Sequence, residues 1–166
     1  MTKRAAAELQ SFEYSEWDIN CRTQRIHMIV IYMSPYSEAH PVTTRVFLEE
    51  FSEFLGPAVS CTNHLVIVGG LSIHIDITDD ADAIGLRDLL ESTGLEQHVA
   101  VPTHTSGHTL ALIITRKSDA LEISTPWRDY LFSDHVPVHC KLEIDKSPPK
   151  KSQILFRKLK VINVDS

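Results

Sequence analysis

Ser133, Asp134 and His135 form a short polar tripeptide whose side chains could act together in chemistry. A carboxylate beside an imidazole on a loop can bind a hard cation through oxygen and contact a phosphoryl oxygen through nitrogen. The same tripeptide also suits an ordinary turn, in which the aspartate accepts hydrogen bonds from nearby backbone N–H groups. The tripeptide alone leaves both interpretations open.

A second candidate lies in residues 68–76, at the end of the apolar run Leu65–Val68. Four apolar residues closed by Gly69 and Gly70 are typical of a buried strand that ends in a loop. Polar groups at the end of such a strand often face a ligand crevice, and glycines there permit close backbone approach. A tight turn without a ligand explains the same residues.

Histidines are the third candidate, because the chain has nine and two pairs, His104/His108 and His135/His139, are spaced by four. Two histidines at this spacing meet one metal ion mainly on a helix. Residues 104–107 have the composition of a loop, and no third ligand is evident beside them. Zinc binding therefore stays an alternative, and most histidines are expected on the surface or in loops.

Cys21, Cys61 and Cys140 lie far apart and form no CxxC pair, so neither a disulfide framework nor a cysteine zinc site is predicted. The chain has no Walker A loop, GxSxG or catalytic-cysteine pattern. No apolar run approaches the roughly 18 residues of a membrane helix, and the first residues lack the apolar region of a secretory signal. These features predict an intracellular protein without a membrane span.

Charge is spread unevenly along the 166 residues, a length that suits one domain. Residues 1–145 carry 10 basic and 21 acidic side chains, a net charge of −11, whereas residues 146–166 carry a net charge of +5. We predict a domain over 1–145 and a basic linker or tail over 146–166. An acidic body does not suit passive phosphate binding, but an acidic cluster could hold a divalent cation. The tail could contact nucleic acid through Lys150, Lys151, Arg157, Lys158 and Lys160.

The pattern of apolar residues predicts alternating strands and helices. Strands are expected over 11–21, Arg25–Tyr32, Leu65–Val68, Leu110–Thr115 and Val136–Ile144. Helices are expected over 41–55, ended by Gly56-Pro57, and over Asp80–Ser92, closed by Gly94 in the left-handed conformation. This order predicts an α/β or α+β class in which helices cover the sheets.

Taken together, these segments resemble the endonuclease/exonuclease/phosphatase superfamily. The resemblance rests on LVIVGG (65–70), GLEQHVAVPTHTSGHTLALIITR (94–116) and the closing Ser-Asp-His, and it covers roughly residues 11–160. Within the superfamily, the chain is most similar to the endonuclease domains of non-LTR retrotransposons. Those domains carry a GDFN turn, a Gly-His-Thr-Leu-Asp stretch and a Ser-Asp-His motif.

The resemblance implies an incomplete four-layer α/β sandwich and an enzyme that cuts DNA phosphodiester bonds with Mg²⁺. Carried over by position, Asp134 is the metal-site or water-activating carboxylate, and His135 contacts the scissile phosphate. Ser133 supports the loop, and Tyr32 is the tyrosine that approaches the phosphate. In such enzymes the metal stabilises charge while an Asp–Asn pair directs a water in line with the leaving oxygen.

This sequence departs from the motifs at the positions that carry the chemistry. Gly70 stands where GDFN has its aspartate, Ser72 where it has its asparagine, and Ala111 where an aspartate orients the catalytic histidine. Met33 stands where an arginine commonly follows the tyrosine. Segments matching the family's first asparagine and its metal-binding glutamate are not recognised, so that role is given to no glutamate here. We therefore expect weak Mg²⁺ binding and no meaningful phosphodiesterase turnover.

Three functions remain open on the sequence. The first is a Mg²⁺-dependent DNA endonuclease. The second is an inactive remnant that binds nucleic acid through its tail, or protein through a sheet face that an incomplete sandwich leaves exposed, with self-association as one form of that binding. The third is a histidine metal protein unrelated to nucleases.

Overall fold

The computed structural model of the chain describes residues 1–129 and 133–143. A six-stranded mixed sheet in the order β1-β2-β3-β4-β6-β5 forms the main layer, and β3 and β4 are its parallel pair. The strands of this sheet are β1 (Thr2–Glu8), β2 (Glu13–Asn20), β3 (Arg25–Tyr32), β4 (His64–Gly70), β5 (Leu95–Gln97) and β6 (Ala111–Arg116). The helices are α1 (Thr44–Val59) and α2 (Ala81–Ser92), and β7 (Trp127–Arg128) pairs with β8 (Val138–His139) in a separate ribbon. The predicted α+β class is confirmed.

The hydrophobic core lies between one face of the sheet and the two helices. Phe47, Phe51 and Leu55 of α1 are fully buried, because they recur at helical spacing on the side that faces the strands. They pack in one cluster with alternate residues of the central strands, namely Ile29, Ile31, Leu65, Ile67, Leu112 and Ile114. The alternation places the next residues of each strand on the opposite face of the sheet.

The turn between β1 and β2 is anchored on α1. Phe12 is buried and packs edge-on against Phe47 at 5.6 Å between ring centroids. The Glu50 carboxylate accepts hydrogen bonds from the Ser11 N–H at 2.9 Å, from the Ser11 hydroxyl and from the Gln10 N–H. Burial raises the pKa of Glu50, but these hydrogen bonds lower it more, so its pKa lies below the usual value. The sequence pattern does not reveal β1, whose Ala-rich segment has little strand propensity.

The face of the sheet opposite the helices, here called the open face, is only partly covered. On β3 this face carries Ile26, Met28, Val30 and Tyr32, and its last two residues are 38% and 51% exposed. Val30 is exposed although β3 has a neighbour on each side. Among the described residues, the ribbon β7–β8 is the remaining sheet, as expected for an incomplete sandwich.

Both predicted boundaries of helix α1 are wrong. Helix α1 does not end at Gly56-Pro57 but continues to Val59. Pro57 lies in the last turn, where it removes a single ladder bond, while Ala58 continues the buried stripe and the Ser60 hydroxyl donates to the Gly56 carbonyl at 2.9 Å. The start moves to Thr44, because the Thr43 hydroxyl accepts from the Val46 N–H as an N-cap.

The predicted strand Val136–Ile144 is reduced to Val138–His139. The backbone of this stretch divides its hydrogen bonds among separate partners: the Val136 N–H donates to the Thr103 carbonyl, and the Pro137 carbonyl accepts from the Asp129 N–H. Ile144 and the predicted basic tail with its five nucleic-acid-binding residues lie outside the described residues. No helix of the described residues is long and apolar enough to cross a membrane.

Gly69 and Gly70 differ in the space around them. A Cβ built on Gly69 would lie 1.8 Å from the Ile31 carbonyl oxygen, whereas a Cβ on Gly70 meets only Tyr32 Cδ2, at an ordinary 3.8 Å. Position 69 therefore requires glycine, because β3 passes too close to leave room for a Cβ. Gly70 has no such requirement.

We expect Gly69→Ala to destabilise the fold by roughly 1–3 kcal/mol, because β3 must move to relieve the overlap. Gly70→Ala is the matched control and should change the free energy of unfolding by less than about 0.5 kcal/mol. Urea unfolding of both variants measures the difference. Equal losses in the two variants would contradict this account of the glycine pair.

Candidate functional site

The register of the sheet places three predicted site residues in one row. Tyr32 at the end of β3 pairs with Gly70 at the end of β4, and Gly70 pairs with Ala111 at the start of β6. Paired residues of neighbouring strands point to the same face of a sheet, about 4.8 Å apart. These positions therefore form a continuous strip on the open face, where the sheet meets the loops.

The buried hydroxyl of Thr103 helps to hold the loop that leads into β6. Thr103 Oγ1 accepts hydrogen bonds from the Leu110 and Ala111 N–H groups at 2.8 and 2.9 Å, and Thr103 is 1% exposed. The Thr103 and His104 N–H groups both donate to the His108 carbonyl, which closes the turn between them. This network keeps His104 beside the start of β6.

Backbone hydrogen bonds then attach the Ser-Asp-His loop to the loop before β6. The Thr105 N–H donates to the Asp134 carbonyl at 2.9 Å, and His104 and His135 form an isolated antiparallel bridge. Within the tripeptide, Ser133 Oγ accepts from the His135 N–H at 3.1 Å. Residues distant in sequence are thereby brought to the end of the strand row.

Together these elements enclose a cleft of about 350 Å³, here called the site cleft. It is lined by Tyr32, Met33, Pro35, Gly70, Leu71, Ser72, His74, His104, Leu110, Ala111, Asp134 and His135. The predicted site residues Tyr32, Gly70, Ser72, Ala111, Asp134 and His135 are all among them, whereas Ser133 lies just outside. The tripeptide and the glycine turn, which are distant in sequence, both contribute residues to one cleft.

A larger cavity, of about 610 Å³, lies beside α2 and β5. Its cationic side chains already have partners: Lys117 pairs with Glu91, and the Arg87 guanidinium donates to the carbonyls of Ile75, Ile77 and Thr78. Because Lys117 and Arg87 already bind other groups of the protein, the smaller site cleft is the better candidate for chemistry.

The histidines are not grouped by their sequence spacing. His104 lies with His135, their ring centroids 5.1 Å apart, while His108 turns to Asp76 and stacks on His74 at 4.2 Å. His139 pairs with Asp129 at 3.3 Å. The two pairs spaced by four are therefore not ligand pairs. Their members separate because both segments are loops or short strands rather than helices.

Comparison with solved structures identifies the fold. The chain is similar to the endonuclease domain of TRAS1, a telomere-specific non-LTR retrotransposon, with a TM-score of 0.61 and 18% identity over 82% of this chain and 63% of that one. It is also similar to the catalytic domain of human Nocturnin (TM-score 0.56, 13% identity, 86% and 60% covered). A third match is an endonuclease/exonuclease/phosphatase family protein from Leptotrichia buccalis (0.55, 14%, 80% and 54%).

The chain has the endonuclease/exonuclease/phosphatase fold. The resemblance seen in the sequence is confirmed at this level. The chain spans about 54–63% of the length of these three structures. No family model and no curated protein matches it.

Mg²⁺, which the endonuclease/exonuclease/phosphatase fold implies, is a poor fit to the donors in the site cleft. Mg²⁺ demands near-octahedral coordination by oxygen and is usually bound through one or two carboxylates together with waters and phosphates. Of the described residues that line the site cleft, Asp134 alone carries a carboxylate, and it is 67% exposed. Gly70 and Ala111 have no oxygen on their side chains, so the strand row supplies no further ligand.

Glu13 does not replace the carboxylate that Gly70 lacks. It pairs with Tyr32 and so extends the strand row onto β2, but two strand spacings separate it from Gly70. Glu13 is also not among the residues that line the site cleft.

The ring of His135 also lacks an orienting acceptor. Within residues 1–129 and 133–143, no side chain forms a hydrogen bond or ion pair with its nitrogens, and Ala111 offers only a methyl group. An imidazole whose second nitrogen is unbound has neither a fixed tautomer nor a fixed ring angle.

Asp76 was included in the glycine-turn candidate, but its partners could not be seen in the sequence. Its carboxylate accepts from the Thr109 N–H at 2.7 Å and lies 3.0 Å from His108 Nδ1. Burial raises the pKa of Asp76, but the hydrogen bonds from Thr109 and His108 lower it more, so its pKa lies below the usual value. Asp76 thus connects the loop after β4 with the loop before β6.

We expect Asp76→Asn to lower stability at neutral pH and to lose this effect in acid. A lowered folded-state pKa gives stability that is complete above the unfolded pKa, near 3.9, and disappears as pH falls through the folded value. Urea unfolding from neutral pH to about pH 3 should show the two proteins converging. Asp79→Asn, at an exposed acid of the same loop, is the control. A gap between wild type and Asp76→Asn that stays constant with pH would exclude this role.

Proposed function

We propose that this chain is a retrotransposon-derived endonuclease-like domain, of Mg²⁺-dependent, DNA-nicking ancestry, that no longer hydrolyses phosphodiester bonds. The observation that carries the proposal is the pairing of Gly70 with Ala111 in the floor of the site cleft. Both residues stand where the resembling endonucleases have an aspartate. This pair leaves the site cleft without those two carboxylates.

Loss of these groups affects separate parts of the reaction. Without a carboxylate at position 70, no side chain there can direct a water, and without one at position 111, the His135 ring is not oriented. Asp134 alone gives Mg²⁺ too few oxygen ligands. Removing one member of such a set can cost orders of magnitude in rate, and further losses then matter less.

The groups that remain suit contact with a phosphate. The Tyr32 side chain is 51% exposed at the mouth of the cleft, and His135 is exposed beside it. DNA is therefore the partner we propose. The division into a domain over 1–145 and a basic tail over 146–166 belongs to the same proposal, as does an intracellular location.

Supercoiled plasmid incubated with Mg²⁺ tests the loss of activity. We expect the wild-type chain to nick no faster than His135→Ala, because the water-directing and histidine-orienting carboxylates are absent. Nicking by the wild type that disappears in both Asp134→Ala and His135→Ala would overturn the proposal.

A gain of Mg²⁺ binding provides the complementary measurement. Gly70→Asp combined with Ala111→Asp adds two carboxylates to the strand row, and the space at Gly70 accepts a side chain. Calorimetric titration should detect Mg²⁺ binding in the double variant and none in the wild type. Ser72→Asn alone, which adds an amide and no charge, is the control.

A second candidate function, binding to another copy of the chain, is favoured by the exposure of Val30 and Tyr32 on the open face. We expect sedimentation velocity to show a dimer whose population is insensitive to salt, since apolar contacts are not screened. Val30→Lys should shift the chain to monomer. Ile84→Lys, at an apolar residue of α2 that is 41% exposed, is the matched control. A wild-type monomer at every concentration would exclude this function.

A further inference from the structure

His104, Asp134 and His135 form one compact group of metal-ligating side chains in the site cleft. One ligand atom from each lies within 4.8 Å of the others, and no other such group of three occurs in residues 1–129 and 133–143. Sequence spacing pairs His104 with His108 instead. The group exists only because the isolated bridge between His104 and His135 joins two loops.

We infer that this group binds a divalent transition metal of the Zn²⁺ type. Two imidazoles and one carboxylate are a donor set that such ions prefer, whereas Mg²⁺ and Ca²⁺ prefer oxygen alone. Three protein ligands leave a fourth tetrahedral position open, as in zinc sites that hold water or an anion. Because the three side chains line the site cleft, that position faces the cleft.

The distances suit such an ion. Two ligand atoms bound tetrahedrally at about 2.1 Å are roughly 3.4 Å apart. His104 Nε2 and Asp134 Oδ2 are already 3.6 Å apart. The Asp134 side chain is 67% exposed, so its carboxylate is free to move closer to His104 Nε2 until the two atoms reach this spacing. The His104 side chain is 23% exposed and is held in place by its surroundings.

Ser106 supplies the outer contact that a metal-bound histidine needs. Its hydroxyl lies 2.7 Å from His104 Nδ1, and its N–H donates a hydrogen bond to the same atom at 3.1 Å. When Nε2 binds a metal, Nδ1 carries the ring proton and donates it to a hydrogen-bond acceptor, a role that the Ser106 hydroxyl fills. The hydrogen bond from the Ser106 N–H to Nδ1 is then lost, and the exposed residues 105–107 are able to move away.

The inference rests on the proposed function in one respect, namely that the site cleft has no Mg²⁺ centre to compete for Asp134. Metal binding is therefore measured without DNA, so the two proposals fail separately. Absent Co²⁺ binding removes the inference and leaves the inactive endonuclease-like domain standing. Mg²⁺-dependent nicking removes that function whatever Co²⁺ does.

Titration of the untagged, chelator-treated chain with Co²⁺, followed by visible absorption, tests the site. We expect one Co²⁺ per chain, displaced by Zn²⁺ and not by millimolar Mg²⁺. His104→Ala and His135→Ala should each weaken binding more than about 100-fold, and Ser106→Ala about tenfold.

His139→Ala is the matched control, because this exposed histidine follows His135 at the spacing of four and pairs with Asp129 instead. It should bind Co²⁺ as the wild type does. The ligands are partly exposed, so circular dichroism should show that each variant is folded. The inference is wrong if both ligand variants keep wild-type affinity, if His139→Ala loses it, or if Mg²⁺ displaces Co²⁺ as effectively as Zn²⁺ does.

Discussion

The parallel pairing of β3 with β4 determines where the strand residues of the site cleft lie. Both strands end at the same edge, so Tyr32 and Gly70 meet there, and antiparallel β6 begins beside them with Ala111. The pairing is close enough that Gly69 has no room for a side chain against the Ile31 carbonyl. A shift of one residue in β3 would turn Tyr32 toward the helices and divide the strand row between two faces.

The sequence predicts best those elements of the fold whose apolar residues recur with a regular period. Arg25–Tyr32 is predicted without error, the helix ending at Ser92 is correct within a residue, and Gly94 has the expected left-handed backbone. Strand β1 could not be predicted, because its segment is rich in alanine, which has a low strand propensity. This segment is a strand because it pairs with β2. The stretch after Val136 alternates apolar and polar residues as a strand does, but its backbone hydrogen bonds go to several separate partners instead of one neighbouring strand.

Motif resemblance named several of the residues that line the site cleft, but it could not reveal side chains whose partners are distant in sequence. His104 meets Asp134 and His135 through a single bridge between loops, and Asp76 meets Thr109 across 33 residues. Spacing rules describe helices and strands, where neighbours follow from the repeat. Loops have no repeat, so the grouping of their histidines depends on tertiary structure alone.

The hydroxyl of Thr103 holds the loop before β6 in place with no contribution from the side chains at positions 70 and 111. The groups that hold the loops around the site cleft include this hydroxyl, the Asp76 carboxylate and backbone amides, and the side chains of positions 70 and 111 hold none of these loops. A substitution at position 70 or 111 can therefore alter the chemistry of the site cleft while its hydrogen-bonded frame stays intact.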